Sequence, residues 1–250
     1  MSSEWENKYG VISGGTSGIG LATAKMLLSQ GAKVLLIGRT DKNGDLALAE
    51  LKEYAGRVKF LRVDLGLVSQ SEALCRNLAK QGEKLDFLVN SAGCYDEKPL
   101  ASITEEDYNF MLSNNLQATI FLTKALLPLF KKNGAIVNVA SDAGIKGNYG
   151  CPLYSAAKGG IVAFSRSLAL DLAPDVRVNC VCPGDVDTPL VDKQIAKGHY
   201  TKEDMAQVYP LGRIGKPEEI AYVICALASS HNGFMTGAVI PVDGGLTAKG

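Results

Sequence analysis

Three side chains able to move a proton or hold a polar oxygen stand close together in the segment SDAGIKGNYGCPLYSAAK, residues 141–158. Tyr154 and Lys158 are four apart, so on a helix they share one face with Cβ atoms about 5–6 Å apart. Pro152 suits the first turn of that helix, where its missing N–H costs nothing. Ser141 closes the apolar run Ala135 to Ala140 and leads into a glycine-rich turn. A phenol, an ammonium and a hydroxyl converging at the mouth of a sheet could serve one carbonyl or alcohol carbon as acid, electrostatic partner and oxygen ligand. Taken singly, each has a plainer reading: Tyr-x-x-x-Lys arises by accident on amphipathic helices, and Ser141 could merely form a turn.

A second signature changes the weighing. The apolar run before Ser13 leads into Ser13-Gly14-Gly15-Thr16-Ser17-Gly18-Ile19-Gly20, and an apolar-periodic helix follows through Leu21, Ala24, Leu27 and Leu28. Glycines let the backbone approach a pyrophosphate, whose charge a helix N-terminus favours. The spacing G-x-x-x-G-x-G departs from the G-x-G-x-x-G fingerprint, but its place between a first strand and a first helix suits a dinucleotide. After the next strand come Gly38-Arg39-Thr40. A carboxylate there would select NAD through the ribose 2′-hydroxyl, whereas the Arg39 guanidinium suits a 2′-phosphate and hence NADP(H). The competing reading leaves Arg39 in solvent and gives the ribose to Asp41, selecting NAD. Asp64 closes a third strand, where it could accept from the adenine amino group or simply cap a helix. Asn90-Ser91-Ala92-Gly93 closes a fourth with residues small enough to leave space for a nucleotide.

These residues require elements that bring strand ends together. Short apolar runs alternate with longer helical patterns, which argues for βαβ units and a parallel sheet. Strands are expected at Tyr9–Ser13, Lys33–Gly38, Val58–Val63, Phe87–Asn90, Ala135–Ala140, Val176–Val181 and Ala238–Val242. Most are continuously apolar, as strands buried on both faces should be. Helices are expected near 19–30, 42–55, 69–81, 104–131, 153–173 and 217–229, with a break in the fourth at Asn114-Asn115. No repeat, low-complexity tract or linker divides the chain. The expectation is one α/β domain over 1–250: a Rossmann-type doubly wound parallel sheet of about seven strands with helices on both faces.

Composition narrows the classes. With 46% hydrophobic and 21% charged residues, the chain can bury a sizeable core. The formal net charge is zero with no basic block, which speaks against nucleic acid or an anionic membrane as partner. The opening MSSEWENKYG carries charges where a signal peptide needs an apolar core, and the longest apolar run, Ile220 to Ala228, is too short to span a bilayer. A cytoplasmic location is expected. Six cysteines without a C-x-x-C pair read as reduced thiols, with Cys94 and Cys151 as pocket lining at most. The two histidines, His199 and His231, form no ligand motif, so no metal site is expected.

In combination, S-G-x-x-x-G-I-G at 13–20, N-S-A-G at 90–93, Asn115, Ser141, Y-x-x-x-K at 154–158 and P-G-x-x-x-T-P at 183–189 resemble the short-chain dehydrogenase/reductase family over nearly the whole length. Ser13 and Ser91 stand where that family usually has Thr and Asn; both keep a small polar residue. The resemblance implies Tyr154 as general acid/base, Lys158 holding the nicotinamide ribose, Ser141 orienting the substrate oxygen, and Asn115 holding a water linked to Lys158. It implies cofactor contacts from Gly14, Ser17, Gly18, Ile19, Gly20, Arg39, Asp64, Asn90, Gly93, Tyr154, Lys158, Pro183, Gly184, Val186 and Thr188. It also implies a mobile lid near 189–210 and a homotetramer whose interface includes Pro241-Val242-Asp243-Gly244-Gly245. Val191 to Tyr209, with Lys193, Lys197, His199, Tyr200 and Asp204, reads as polar and structurally indistinct.

A free phenol is ionised in about one molecule in a thousand at pH 7. Bringing Tyr154 near neutrality needs ~4 kcal/mol, expected from the Lys158 ammonium and an oxidised nicotinamide. The expected reaction is reversible hydride transfer between NADP(H) and a ketone or secondary alcohol. A 3-oxoacyl-thioester reductase is an alternative, needing basic residues at the mouth such as Lys131, Lys132 or Lys146. So is an NAD-dependent hydroxysteroid dehydrogenase, needing an apolar cleft from Cys94, Tyr95, Ile145, Tyr149, Val186 and Leu190. A redox-silent nucleotide sensor should have lost part of the catalytic set, and here the set is complete.

Overall fold

The computed structural model describes residues 3–197 and 200–249. Seven strands form one sheet in the order β3-β2-β1-β4-β5-β6-β7, every pair parallel. They are β1 Tyr9–Ser13, β2 Lys33–Gly38, β3 Val58–Arg62, β4 Leu85–Asn90, β5 Phe130–Val139, β6 Val176–Pro183 and β7 Val239–Val242. Both faces of the central sheet are covered, which is why its inner strands read as nearly unbroken apolar runs. Ile12, Leu36, Phe87 and Val137 point to one side, among residues of α1 (Gly18–Ser29) and α10 (Pro217–Ala228). Their neighbours Val11, Leu35, Leu88 and Ile136 point to the other, among α3 (Val68–Lys80), α5 (Ala118–Leu126) and α7 (Pro152–Leu172). The period of two along a strand thus buries alternate residues in two separate cores.

The order of strands reverses at β1 and β4, leaving a crevice outside their carboxyl ends, where ligands of such sheets sit. Ser13 ties the two loops there: its Oγ accepts from the backbone N–H of Ser91 at 3.1 Å and of Ala92 at 3.2 Å. Gly14 (φ 65°) packs so closely that a Cβ would lie 2.9 Å from Ala92, and at Gly20 one would lie 2.3 Å from the Gly14 carbonyl oxygen.

Beyond shifts of one or two residues at strand ends, four differences from expectation stand out. The segment 104–131 is α4 (Glu105–Leu112), a π turn over Ser113–Gln117 at the expected break, and α5, which ends before Pro128. β5 then starts at Phe130, five residues before Ala135, because Phe130 pairs with Leu85 across a register shift. The helix expected to 55 stops at Glu50 as α2 (Asp41–Glu50), and a 3-10 turn follows over Lys52–Tyr54. The stretch read as indistinct holds two helices: α8 (Pro189–Ala196), with Pro in its first turn, and α9 (Lys202–Ala206), with a Thr201–Asp204 capping box. His199 lies outside the described residues. No helix among the described residues is long and apolar enough to cross a membrane.

Candidate active site

A cleft of about 490 Å³ runs across the carboxyl ends of the strands. At one end Gly14, Ser17, Gly18 and Ile19 line it from the turn between β1 and α1. Ser17 is the N-cap of α1 but bonds no backbone N–H with its side chain, and the first turn carries no acidic residue. This helix start therefore favours an anion. Arg39, Thr40 and Asn43 line the cleft beyond β2. Exposed Arg39 donates to Asn114 Oδ1 at 3.2 Å. Asp41 is not on the wall and pairs with Arg62 at 3.1 Å.

At the other end the chemical residues meet. Ser141 follows β5, and Tyr154 and Lys158 lie on the first two turns of α7; all three line the cleft, each less than 9% exposed. Lys158 Nζ donates to the Val139 carbonyl at 3.1 Å and lies 5.6 Å from the centroid of the Tyr154 ring. Burial lowers Lys158 from the ordinary lysine range to about 8. Burial also raises Tyr154 above the ordinary phenol, against a lowering hydrogen bond from the Ser141 side chain. Taking the ring out of water thus opposes its ionised form, so the expected acidity has to come from Lys158 and an oxidised nicotinamide acting together. Tyr95 stands edge-on to Tyr154, ring centroids 4.8 Å apart, and its hydroxyl donates to Glu97.

Asn115, fully buried in the π turn, uses its side chain on its neighbours. Nδ2 donates to the carbonyls of Cys94 (3.1 Å) and Met111 (3.0 Å), and Oδ1 accepts from Cys94 N–H at 3.3 Å. Gly93 fits between Asn115 and Lys158: a Cβ would lie 2.7 Å from Asn115 Oδ1 and 3.4 Å from Lys158 Nζ. Asn115 thus shapes the wall by holding the loop after β4.

Other expected residues divide. Gly93, Pro183, Gly184, Val186 and Thr188 line the cleft. Gly20, Asp64 and Asn90 do not. Gly20 sits under Gly14; Asp64 Oδ1 accepts from Gly66 N–H at 3.0 Å; Asn90 Nδ2 donates to Thr123 and Asn138, bracing β4 against α5 and β5. Of the expected apolar wall, Cys94, Tyr95, Val186 and Leu190 are on the cleft, but Ile145 and Tyr149 are exposed and off it. Lys131 and Lys132 occupy the start of β5, at the opposite end of the sheet, where Lys131 pairs with Asp86 at 2.8 Å. Two carboxylates on the wall, Asp142 and Asp185, escaped sequence reasoning. The only signal was that each follows a strand end by a few residues.

The comparisons with known proteins agree on the class. Residues 14–247 match the family model described as enoyl-(acyl carrier protein) reductase. The chain is 35% identical to the 3-oxoacyl-[acyl-carrier-protein] reductase FabG of Chlamydia trachomatis, over 98% of this chain and 100% of that protein. A crystal structure titled short-chain dehydrogenase/reductase SDR:Glucose/ribitol dehydrogenase, from Brucella melitensis, superposes with a TM-score of 0.89 at 35% identity, covering 98% and 99% of the two chains. The structure of ElxO with NADP bound superposes equally well, TM-score 0.89, at 27% identity over 97% of this chain and all of that one.

Proposed function

Since the chain belongs to the short-chain dehydrogenase/reductase family, whose members are oxidoreductases acting on CH–OH/C=O groups, we propose that it interconverts a ketone and a secondary alcohol with NADP(H). The observation that carries this reading is the meeting of Tyr154, Lys158 and Ser141 at one end of a cleft whose other end is a glycine turn and a helix start. The residues fit a dinucleotide. Gly14 and Gly18 both have positive φ at the turn, and no carboxylate lines the cleft beside Arg39, Thr40 and Asn43. A 2′-phosphate suits that end better than a bare ribose would. When bound, the nicotinamide supplies or accepts the hydride.

The chain's own groups manage the oxygen. In reduction Tyr154 donates its proton to the carbonyl oxygen, and its raised pKa keeps that proton in place at neutral pH. Lys158, partly charged near pH 8, lowers the cost of the phenolate left behind. Ser141 hydrogen-bonds the same oxygen as charge builds on it. Alcohol oxidation reverses these transfers.

The reading is tested by following nicotinamide absorbance with NADPH and NADH against a panel of ketones and alcohols. NADPH should be preferred, and Arg39→Ala should weaken NADPH roughly 10- to 100-fold while changing NADH little. Equal losses would remove the case for NADP(H). A second reading, reduction of a 3-oxoacyl group on a carrier protein, draws on the FabG relative and on Lys193 at the cleft. Lys131 and Lys132 lend it nothing, being at the far end of β5. Including a 3-oxoacyl thioester in the panel separates the two.

A further inference from the structure

Ser141 has one hydroxyl proton, and its surroundings decide where that proton goes. Asp142 Oδ1 lies 2.8 Å from Ser141 Oγ and 2.8 Å from the backbone N–H of Ala143, which also points at Ser141 Oγ from 3.2 Å. An N–H can only donate. An ionised Asp142 can only accept, so the Ser141 proton is drawn to Oδ1 and Oγ presents lone pairs to its other neighbours. In that state Ser141 can accept from a hydroxyl, either an alcohol substrate or Tyr154, but cannot donate to a carbonyl oxygen. Reduction needs the opposite polarity.

We infer that Asp142 is a positioning residue that sets whether Ser141 offers the reacting oxygen a lone pair or a proton. The inference rests on the oxidoreductase reading above. Asp142 is 3% exposed, lines the cleft, and its second oxygen, Oδ2, is buried without a hydrogen-bond partner among the described residues. An ionised carboxylate with one oxygen buried and unpaired is costly; a neutral carboxyl can carry its proton there or turn it toward Ser141. Protonation from solvent makes Asp142 a weaker acceptor, and the Ser141 hydroxyl is then free to rotate toward a carbonyl.

The charged neighbours agree with this. Burial raises Asp142 above the ordinary carboxylate range, against hydrogen bonds from Ser141 and Ala143; Lys146 pulls it down and Asp243, after β7, pushes it up. Asp185 after β6, Tyr209, and Tyr154 and Cys151 at the start of α7 also feel its charge. A purely structural role is available too, since Asp142 caps the four-residue helix Ala143–Lys146, α6. Asp142→Asn retains an acceptor for that cap and removes the titration.

The test compares wild type with Asp142→Asn, Ser141→Ala and the double variant, reading kcat/KM for ketone reduction from about pH 5 to 9. Wild type should show, besides the limb of Tyr154, a second and more acidic limb along which reduction slows as pH rises. Asp142→Asn should lose that limb, and adding it to Ser141→Ala should change the residual rate less than about twofold. A limb that persists in Asp142→Asn, or an equal loss in both backgrounds, overturns the inference. An infrared titration of the protein without substrate gives a readout independent of turnover. The carboxylic-acid band absent from Asp142→Asn should persist to higher pH in Ser141→Ala than in wild type, because a hydrogen bond that favours the ionised form is gone. An unchanged titration overturns the coupling even if no ketone is ever reduced. If the coupling appears in a protein that turns over no substrate, the functional reading alone fails.

Discussion

The floor of the cleft and its rim are built on opposite terms. On the floor, Ser141, Asp142, Tyr154, Lys158 and Asn115 are all buried, and three titratable groups are held away from their ordinary behaviour. At the rim, one exposed ion pair joins the loop after β4 to the segment around α8 and α9, and two more lie within that segment. Lys197 bonds Asp96, and Lys202 reaches Asp187 at 2.5 Å and Asp192 at 3.5 Å. Exposed pairs of this kind contribute about 0–1 kcal/mol each and are screened by salt. The contrast shows where each property resides. On the proposed reading, chemistry sits where packing fixes geometry and burial works against ionisation, and the expected lid is held by contacts weak enough to break at every turnover.

The largest effect that could break this contrast is on the floor. Tyr154→Phe should lower kcat by roughly a thousandfold, within the range of general-acid contributions, while the melting temperature moves by only a few degrees. Steady-state rates and a thermal melt on the same preparation decide it, and a variant turning over like wild type would end the acid/base role. Next comes Lys158→Met, which should abolish turnover yet stabilise the fold at neutral pH. A lysine lowered to about 8 binds fewer protons folded than unfolded between about pH 8 and the ordinary 10.5. Its burial penalty, on the order of 3 kcal/mol, is therefore in full force below about pH 8 and fades as pH rises through the ordinary lysine range. The lost bond to the Val139 carbonyl offsets part of the gain. Denaturant titrations at pH 7 and 10.5 should show the advantage of Met shrinking; destabilisation at pH 7 would mean that the ammonium is better solvated than its burial suggests.

The same division explains what was legible in the amino-acid order. Tyr154, Lys158 and Ser141 could be found because they ride on regular elements: a helix fixes the i,i+4 pair, and a fully buried strand announces its own end. The core strands were legible because both faces are buried, so Val34 to Ile37 reads apolar throughout. The start of β5 was hidden because Lys131, Lys132 and Asn133 are exposed and carry no alternation. Helices α8 and α9 were missed because Val191 and Met205 are their only buried residues, leaving no apolar stripe, although Thr188-Pro189 and the Thr201–Asp204 box marked their starts. Asp142 and Asp185 sit in loops whose paths depend on tertiary contacts. The raised pKa of Tyr154 was likewise illegible, since spacing brings an ammonium near without saying how much water is excluded.

The smallest predicted effect sharpens the rim side of the comparison. Because the pair of Lys197 with Asp96 is exposed, Lys197→Ala should change stability by less than about 1 kcal/mol and leave kcat close to wild type. Its consequence should fall on substrate retention, as a rise in KM of no more than about fivefold. Raising the salt concentration should produce the same rise in wild type and little further change in the variant, because screening removes what the substitution has already removed. A large fall in kcat with KM unchanged would place this pair in the transition state and erase the distinction between floor and rim. A salt response that persists undiminished in Lys197→Ala would shift the rim's electrostatics to Lys202, which bridges Asp187 and Asp192 at the other end of the same segment.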